Sequence, residues 1–233
     1  MSVSKKELIV KIRDAGVIPV FYHPDMDMLL RVVSISYECG LRVFEFMHQR
    51  DNKGLRFFEH LRVQLDQFPG LSLGVGTVLD ATMTERYINA GASFIASPFL
   101  RSDMAEACKA HQTLWMPGCT TAEEIDRAKE LGANAINVLP GNVLGFEFIT
   151  PIARKHPELS LIPSGITDLR EDSLLKWFES GVLAIKLGSQ VFNKEALGAK
   201  DWSGISSNLK GLLQTIRQIH IKVKPVNLDS VPE

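Results

Sequence analysis

The 233-residue chain has only three cysteines, Cys39, Cys108 and Cys119. They are odd in number and share no metal-ligand spacing, so neither a disulfide framework nor a thiolate metal site is expected, and inert thiols of a reducing compartment fit them. Charge of one sign is also missing: 26 basic side chains face 27 acidic ones, which leaves no electrostatic footprint for nucleic acid or an anionic membrane. No apolar run approaches the ~18 residues that span a bilayer. The first residues alternate charged and apolar side chains (Lys5, Lys6, Glu7, Lys11, Arg13, Asp14), unlike a signal peptide. His48, His60, His111 and His156 show no paired-ligand spacing, so no metal is expected, although a site assembled from separate strands stays open. Met26, Met28 and the pair Phe57-Phe58 suit core-facing helix positions better than a cofactor box, and no cofactor is expected. Neither linker nor low-complexity segment nor second domain is visible. The expectation is a soluble, cytoplasmic protein of one domain over residues 1–221, with an extended or disordered tail over 222–233 that contains Pro225 and Pro232.

What is present is a repeated unit. Cys39-Gly40, Ala90-Gly91, Leu131-Gly132 and Ser180-Gly181 each close a helix-like segment, and an apolar run follows at once. Glycine suits the left-handed conformation that caps a helix, so each unit reads as helix, cap, strand. The four glycines lie 51, 41 and 49 residues apart, and each gap holds one further strand candidate. That spacing predicts an α/β fold with eight strand–helix repeats, a single (β/α)8 TIM barrel of ordinary size. The expected strands are Val17 to Phe21, Arg42 to Phe46, Leu71 to Val78, Ser93 to Ser97, Leu114 to Met116, Ala135 to Leu139, Leu159 to Ile162 and Leu183 to Leu187. Asp25 and Asp80 are placed to cap helices, and Thr120-Thr121 with Glu123-Glu124 resemble a capping arrangement. The helix after the second strand should run to about Phe68; later helices are expected at Phe146 to Lys155, Arg170 to Glu179 and Ile205 to Ile221.

Barrels of this kind concentrate chemistry at the C-terminal ends of their strands. Glu45 is a carboxylate between Phe44 and Phe46, suited to general acid/base work or, equally, to a structural ion pair. Lys186 sits in the apolar run from Val182 to Leu187, either pointing into the barrel mouth as an amine nucleophile or snorkelling to a surface. Strand alternation puts it on the side of Ala184 and Gly188, which favours the inward direction if Gly188 faces the rim. Ser164-Gly165 and Gly188-Ser189 end the last two strands, where barrel loops often bind phosphate; two ordinary turns are the alternative.

In order along the chain, Val43-Phe44-Glu45-Phe46, Gly74 to Leu79, Ile95 to Pro98, Met116 to Glu123, Pro140 to Gly145 and Pro163 to Ile166 resemble the 2-keto-3-deoxy-6-phosphogluconate and 4-hydroxy-2-oxoglutarate aldolases, over about Gly16 to Phe192. The resemblance implies a trimer of (β/α)8 barrels that acts on a small 2-keto acid. In that family a lysine of the sixth strand, three residues before a proline, forms an imine with the keto carbon; here Asn137 stands three residues before Pro140. The family's arginine four residues after the glutamate is Gln49, followed by Arg50. Its two glycines after the seventh strand are Gly165 and Ile166. Positions that do match imply Glu45 as acid/base, Thr77, Pro98 and Leu139 as substrate-binding along with the shifted Arg50, and Ser189 with Ser164, Gly165 and Gly188 on the phosphate side.

Three readings follow. One is a lyase on a 2-keto acid in which Lys186 replaces the missing lysine. The second is a keto-acid-binding or regulatory protein whose Asn137 hydrogen-bonds the ligand. The third is a non-covalent enzyme in which Glu45 moves a proton while Asn137 or a metal polarises a carbonyl.

Overall fold

The computed structural model describes residues 3–49 and 53–223. Its strands are β1 (Val17–Phe21), β2 (Val43–Met47), β3 (Ser72–Gly76), β4 (Phe94–Ala96), β5 (Leu114–Met116), β6 (Gly118–Cys119), β7 (Ala135–Val138), β8 (Ser160–Pro163) and β9 (Ile185–Leu187). Helices alternate with them: α1 (Lys5–Ala15), α2 (Met26–Glu38), α3 (Gly54–Val63), α4 (Ala81–Asn89), α5 (Ser102–Ala110), α6 (Ala122–Glu130), α7 (Gly141–Lys155), α8 (Glu171–Glu179), α9 (Lys194–Gly198) and α10 (Trp202–Lys222).

All strand pairs are parallel. Six form one curled sheet in the order β5-β4-β3-β2-β1-β9, and β6-β7-β8 form a second. Between β5 and β6 lies only Pro117, which has no N–H to give a ladder. Its carbonyl still accepts from the Asn137 amide at 2.9 Å, so the chain passes from one sheet into the other without a turn. On the far side, Ser164 and Lys186 form a backbone bridge, and the Leu183 N–H donates to Leu161 at 2.9 Å.

The four glycine caps are as the spacing requires: Gly40, Gly91, Gly132 and Gly181 have φ of 100°, 92°, 90° and 97°. Asp25 caps α2 and Asp80 caps α4. Thr121 and Glu124 make a reciprocal capping box on α6. Inside α7, Gly145 leaves helical geometry, so the regular helix restarts at Phe146. β3, β4, β7 and β9 are shorter than the sequence reading because their terminal residues leave the ladder, whereas β2 and β8 are shifted by one residue and continue through Met47 and Pro163. Two helices were not anticipated. The mixed apolar and charged pattern of α1 carries Leu8, Ile9 and Ile12 fully buried, and α9 has only five residues. The tail expected over 222–233 does not begin at Lys222, which is the last residue of α10 with Val223 as its cap; residues 224–233 lie outside the described residues.

Alternation along the strands sorts side chains into two packed sets. Phe44, Phe46, Ile136, Val138, Ile185 and Leu187 join the larger cluster, shared with α2 to α10. Val43, Ala135, Ala184, Ile18, Phe94 and Met116 form a second cluster on the opposite face of the strands, joined by Leu8, Ile9 and Ile12 of α1. With a period of two, Glu45, Asn137 and Lys186 share the face of this second cluster, one step nearer the strand ends.

Candidate active site

Above the second cluster the strand ends surround a cavity of about 820 Å³. Glu45 of β2, Asn137 of β7 and Lys186 of β9 reach it, at 4%, 7% and 5% exposure. Such polar groups are rarely buried without partners. Lys186 Nζ lies 2.6 Å from Glu45 Oε2, so the inward direction for Lys186 holds and the two form a buried ion pair. The contact is short but poorly aligned as a hydrogen bond.

Two glycines of β3 make room for this arrangement. A Cβ on Gly76 would overlap Glu45 Oε1, and one on Gly74 would overlap the Phe94 ring. The next residue, Thr77, also lines the cavity and has a φ of 62°. A β-branched residue in that region is strained by ~1–3 kcal/mol, the kind of outlier that clusters at ligand sites.

Asn137 Nδ2 donates to the Ser97 carbonyl over a long 3.4 Å, and its Oδ1 is buried with no hydrogen-bond partner among the described residues. Pro98 and Leu139 complete that wall. Ser164, Gly165, Gly188 and Ser189 all border the cavity as well. Two of their backbone donors are engaged already: the Ser164 N–H donates to Val138 at 3.0 Å, and the Gly188 N–H to Gln190 Oε1 at 3.0 Å. The Gln190 amide in turn donates to the Ile166 carbonyl at 2.9 Å, tying the β9 loop to the β8 loop.

Every candidate from the sequence therefore borders one cavity except Arg50, which lies outside the described residues. Sequence reasoning missed His23, Gln190 and Lys194, which also line it. They lie beyond the ends of β1 and β9, where attention to strand-end motifs alone does not reach. His23 Nδ1 accepts the Asp25 N–H at 3.1 Å, and its ring stacks on Phe21. Two other histidines have side-chain partners: His48 Nδ1 is 2.7 Å from the Tyr87 hydroxyl, and His156 Nε2 is 2.7 Å from Asp126. Cys108 and Cys119 are buried thiols pushed up to about 12 by desolvation, so neither is a thiolate near neutral pH. No helix among the described residues is long and apolar enough to cross a membrane.

The model of the KDPG and KHG aldolase family matches residues 8–208. The 2-dehydro-3-deoxy-phosphogluconate aldolase of Treponema pallidum is 27% identical over 145 residues, 62% of this chain and 68% of its own length. The enzyme of the same description from Haemophilus influenzae is 21% identical over 93% of this chain and its whole length. Among solved structures, the KDPG aldolase of Legionella pneumophila, with pyruvate captured as a covalent carbinolamine, superposes with a TM-score of 0.77 at 21% identity, covering 88% of this chain and 97% of that one.

Proposed function

The chain belongs to the KDPG and KHG aldolase family, and from that premise we propose that it is a carbon–carbon lyase that cleaves a 4-hydroxy-2-keto acid through an imine on Lys186. The observation that carries this reading is the 2.6 Å approach of Lys186 to Glu45 in the cavity. Imine chemistry needs a primary amine and a group that takes and returns protons, and the pair supplies both.

In this reading Glu45 takes a proton from the Lys186 ammonium. The freed amine adds to the keto carbon, giving a carbinolamine, and loss of one water leaves the protonated imine. Removal of the 4-hydroxyl proton then breaks the C3–C4 bond. The electron pair moves into the iminium as an enamine, and the aldehyde departs. Protonation at C3 and addition of water return the lysine and release pyruvate. Asn137 occupies the position of the family's lysine, and its unpartnered Oδ1 would accept from the carbinolamine hydroxyl. Thr77, Pro98 and Leu139 would hold the keto acid, with Arg50 as a candidate for its carboxylate.

The two sheets are read as arcs of one eight-stranded barrel, with β5 and β6 as a single strand interrupted at Pro117; the Ser164–Lys186 bridge supports closure on the other side. A homotrimer in the cytoplasm is the expected assembly, to be checked by sedimentation and fractionation.

A second reading is favoured by the same ion pair. A lysine held by a buried carboxylate, with an amide at the family's lysine position, suits a pocket that binds a keto acid without cleaving it. Borohydride reduction in the presence of pyruvate, read by intact mass and peptide mapping, separates the two. An adduct on Lys186 supports the lyase. Pyruvate bound in calorimetry with no adduct supports binding without turnover, and the aldolase description should then be dropped.

A further inference from the structure

The cavity is much less prepared for a charged far end of the substrate than for its keto-acid end. We propose that the aldehyde half of the substrate is uncharged and apolar, an alkyl or aryl group on C4, and that Gln190 strengthens this preference by taking up the Gly188 N–H at the last two loops. The inference rests on the lyase reading for its chemistry, and its binding test is independent of that reading.

Three observations converge on the β9–β1 side. First, a phosphate there would need several free donors at once. The Gly188 N–H is held by Gln190 Oε1, the Ser164 N–H by Val138, and the Gln190 amide by Ile166. An anion that used the Gly188 N–H would have to displace the Gln190 side chain and break its bond across to Ile166 of the β8 loop, which leaves it the Gly165 and Ser189 N–H groups alone. Ile166, 2% exposed, packs in the core.

Second, the wall beside these loops is hydrocarbon. Phe21 at the end of β1 meets Phe192 beyond β9 with ring centroids 5.4 Å apart, and Met28 and Leu197 extend the surface. Phe21, Phe192 and Leu197 are buried, so the wall is fixed by packing and not by mobile surface groups. At about 820 Å³ the cavity has room for a keto acid and a ring-sized group together.

Third, charge is scarce. Besides the Glu45–Lys186 pair, the lining among the described residues carries only Lys194 and the imidazole of His23. Lys194 is exposed at the start of α9, where water competes for its ammonium. His23 Nδ1 is already taken up by the Asp25 N–H. A distal phosphate would lie against apolar rings with one solvated cation to meet it, whereas an alkyl or aryl group would bury its whole surface.

The test is calorimetry on the full chain with 2-oxo-4-phenylbutanoate, 2-oxoglutarate and 2-oxo-4-phosphonobutanoate. The phenyl compound should bind at least about tenfold more tightly than either dianionic probe. Gln190→Ala should narrow that ratio by strengthening the phosphonate, and Phe192→Ala should narrow it by weakening the phenyl compound. Equal or tighter binding of a charged probe, lost in Lys194→Ala, would overturn the proposal. Exchange of the pyruvate methyl protons in deuterated water tests the lyase reading separately. Where exchange occurs, addition of the enamine carbon to benzaldehyde, with the proton passing to the aldehyde oxygen and one water hydrolysing the imine, should outrun addition to glyceraldehyde 3-phosphate. Exchange without a preference for the apolar aldehyde sinks the substrate assignment alone. No exchange sinks the lyase, and the calorimetric ratio still decides the ligand class.

Discussion

Glu45 and Lys186 meet at 2.6 Å although their strands are not neighbours: β1 lies between β2 and β9, and the two side chains pass over it on its inner face. A buried pair of this kind contributes little net stability, because desolvation of both charges offsets their attraction. Removing one partner, in contrast, strands the other. Glu45→Gln should therefore destabilise the fold by about 3–5 kcal/mol, and it should slow imine formation by about 10²–10⁴-fold if Glu45 moves the proton. Thermal unfolding gives the first number and the rate of borohydride-trapped adduct the second. A variant with unchanged trapping would remove Glu45 from the chemistry.

Gly76→Ala tests the same site without touching a charged group. The added methyl overlaps Glu45 Oε1, so the carboxylate must swing away from Lys186. Overpacking of this kind costs about 1–3 kcal/mol. Adduct formation should fall by at least about tenfold while pyruvate binding, read by calorimetry, changes less. Gly70→Ala is the control: its added methyl meets nothing, although its positive φ is strained. It should cost stability alone.

The sequence carried the repeat and the site positions more clearly than the partnerships. Four glycine caps and a period of two in Phe44-Glu45-Phe46 are local facts, and local chemistry sufficed to find them. The meeting of Glu45 with Lys186 depends on a separation of 141 residues and on the pairing of β9 with β1, which no local pattern encodes. Gln190 was invisible for the same reason. As a residue in a loop it has no signature, and its role appears only when its side chain is seen to accept from Gly188 in its own loop and donate to Ile166 in the other. The helix α1 escaped because its apolar positions Leu8, Ile9 and Ile12 sit among lysines and acids that face outward.

Asn137 offers a test by restoration. The double variant Asn137→Lys with Lys186→Ala moves the only cavity amine on these strands from β9 to β7. If the pocket still presents the keto carbon to that wall, borohydride should trap pyruvate on position 137, at a rate within about 10²-fold of the unmodified protein. Lys186→Ala alone should give no adduct. Trapping in Lys186→Ala alone would mean that another amine carries the chemistry.

His220 of α10 is half-buried with its ring edge against Phe178, centroids 4.9 Å apart, and it crowds the cap at Gly16. Burial is the main cause that lowers its pKa below 6.5; Asp14 opposes this and Arg13 adds to it. A folded value below the unfolded one means that the unfolded chain binds the proton more readily. The group's contribution is therefore intact above about pH 6.5 and is lost as pH falls from there through the lower folded value. The midpoint of thermal unfolding should drop between neutral pH and about pH 5, and His220→Leu should flatten that segment of the curve. Carboxylate titration gives the remaining acid slope, at lower pH, where the ion-paired Asp126 and Glu158 are held below their ordinary values mainly by Lys155 and Lys129. A His220→Leu curve parallel to that of the unmodified protein above pH 5 would show that the proton on His220 is not coupled to folding.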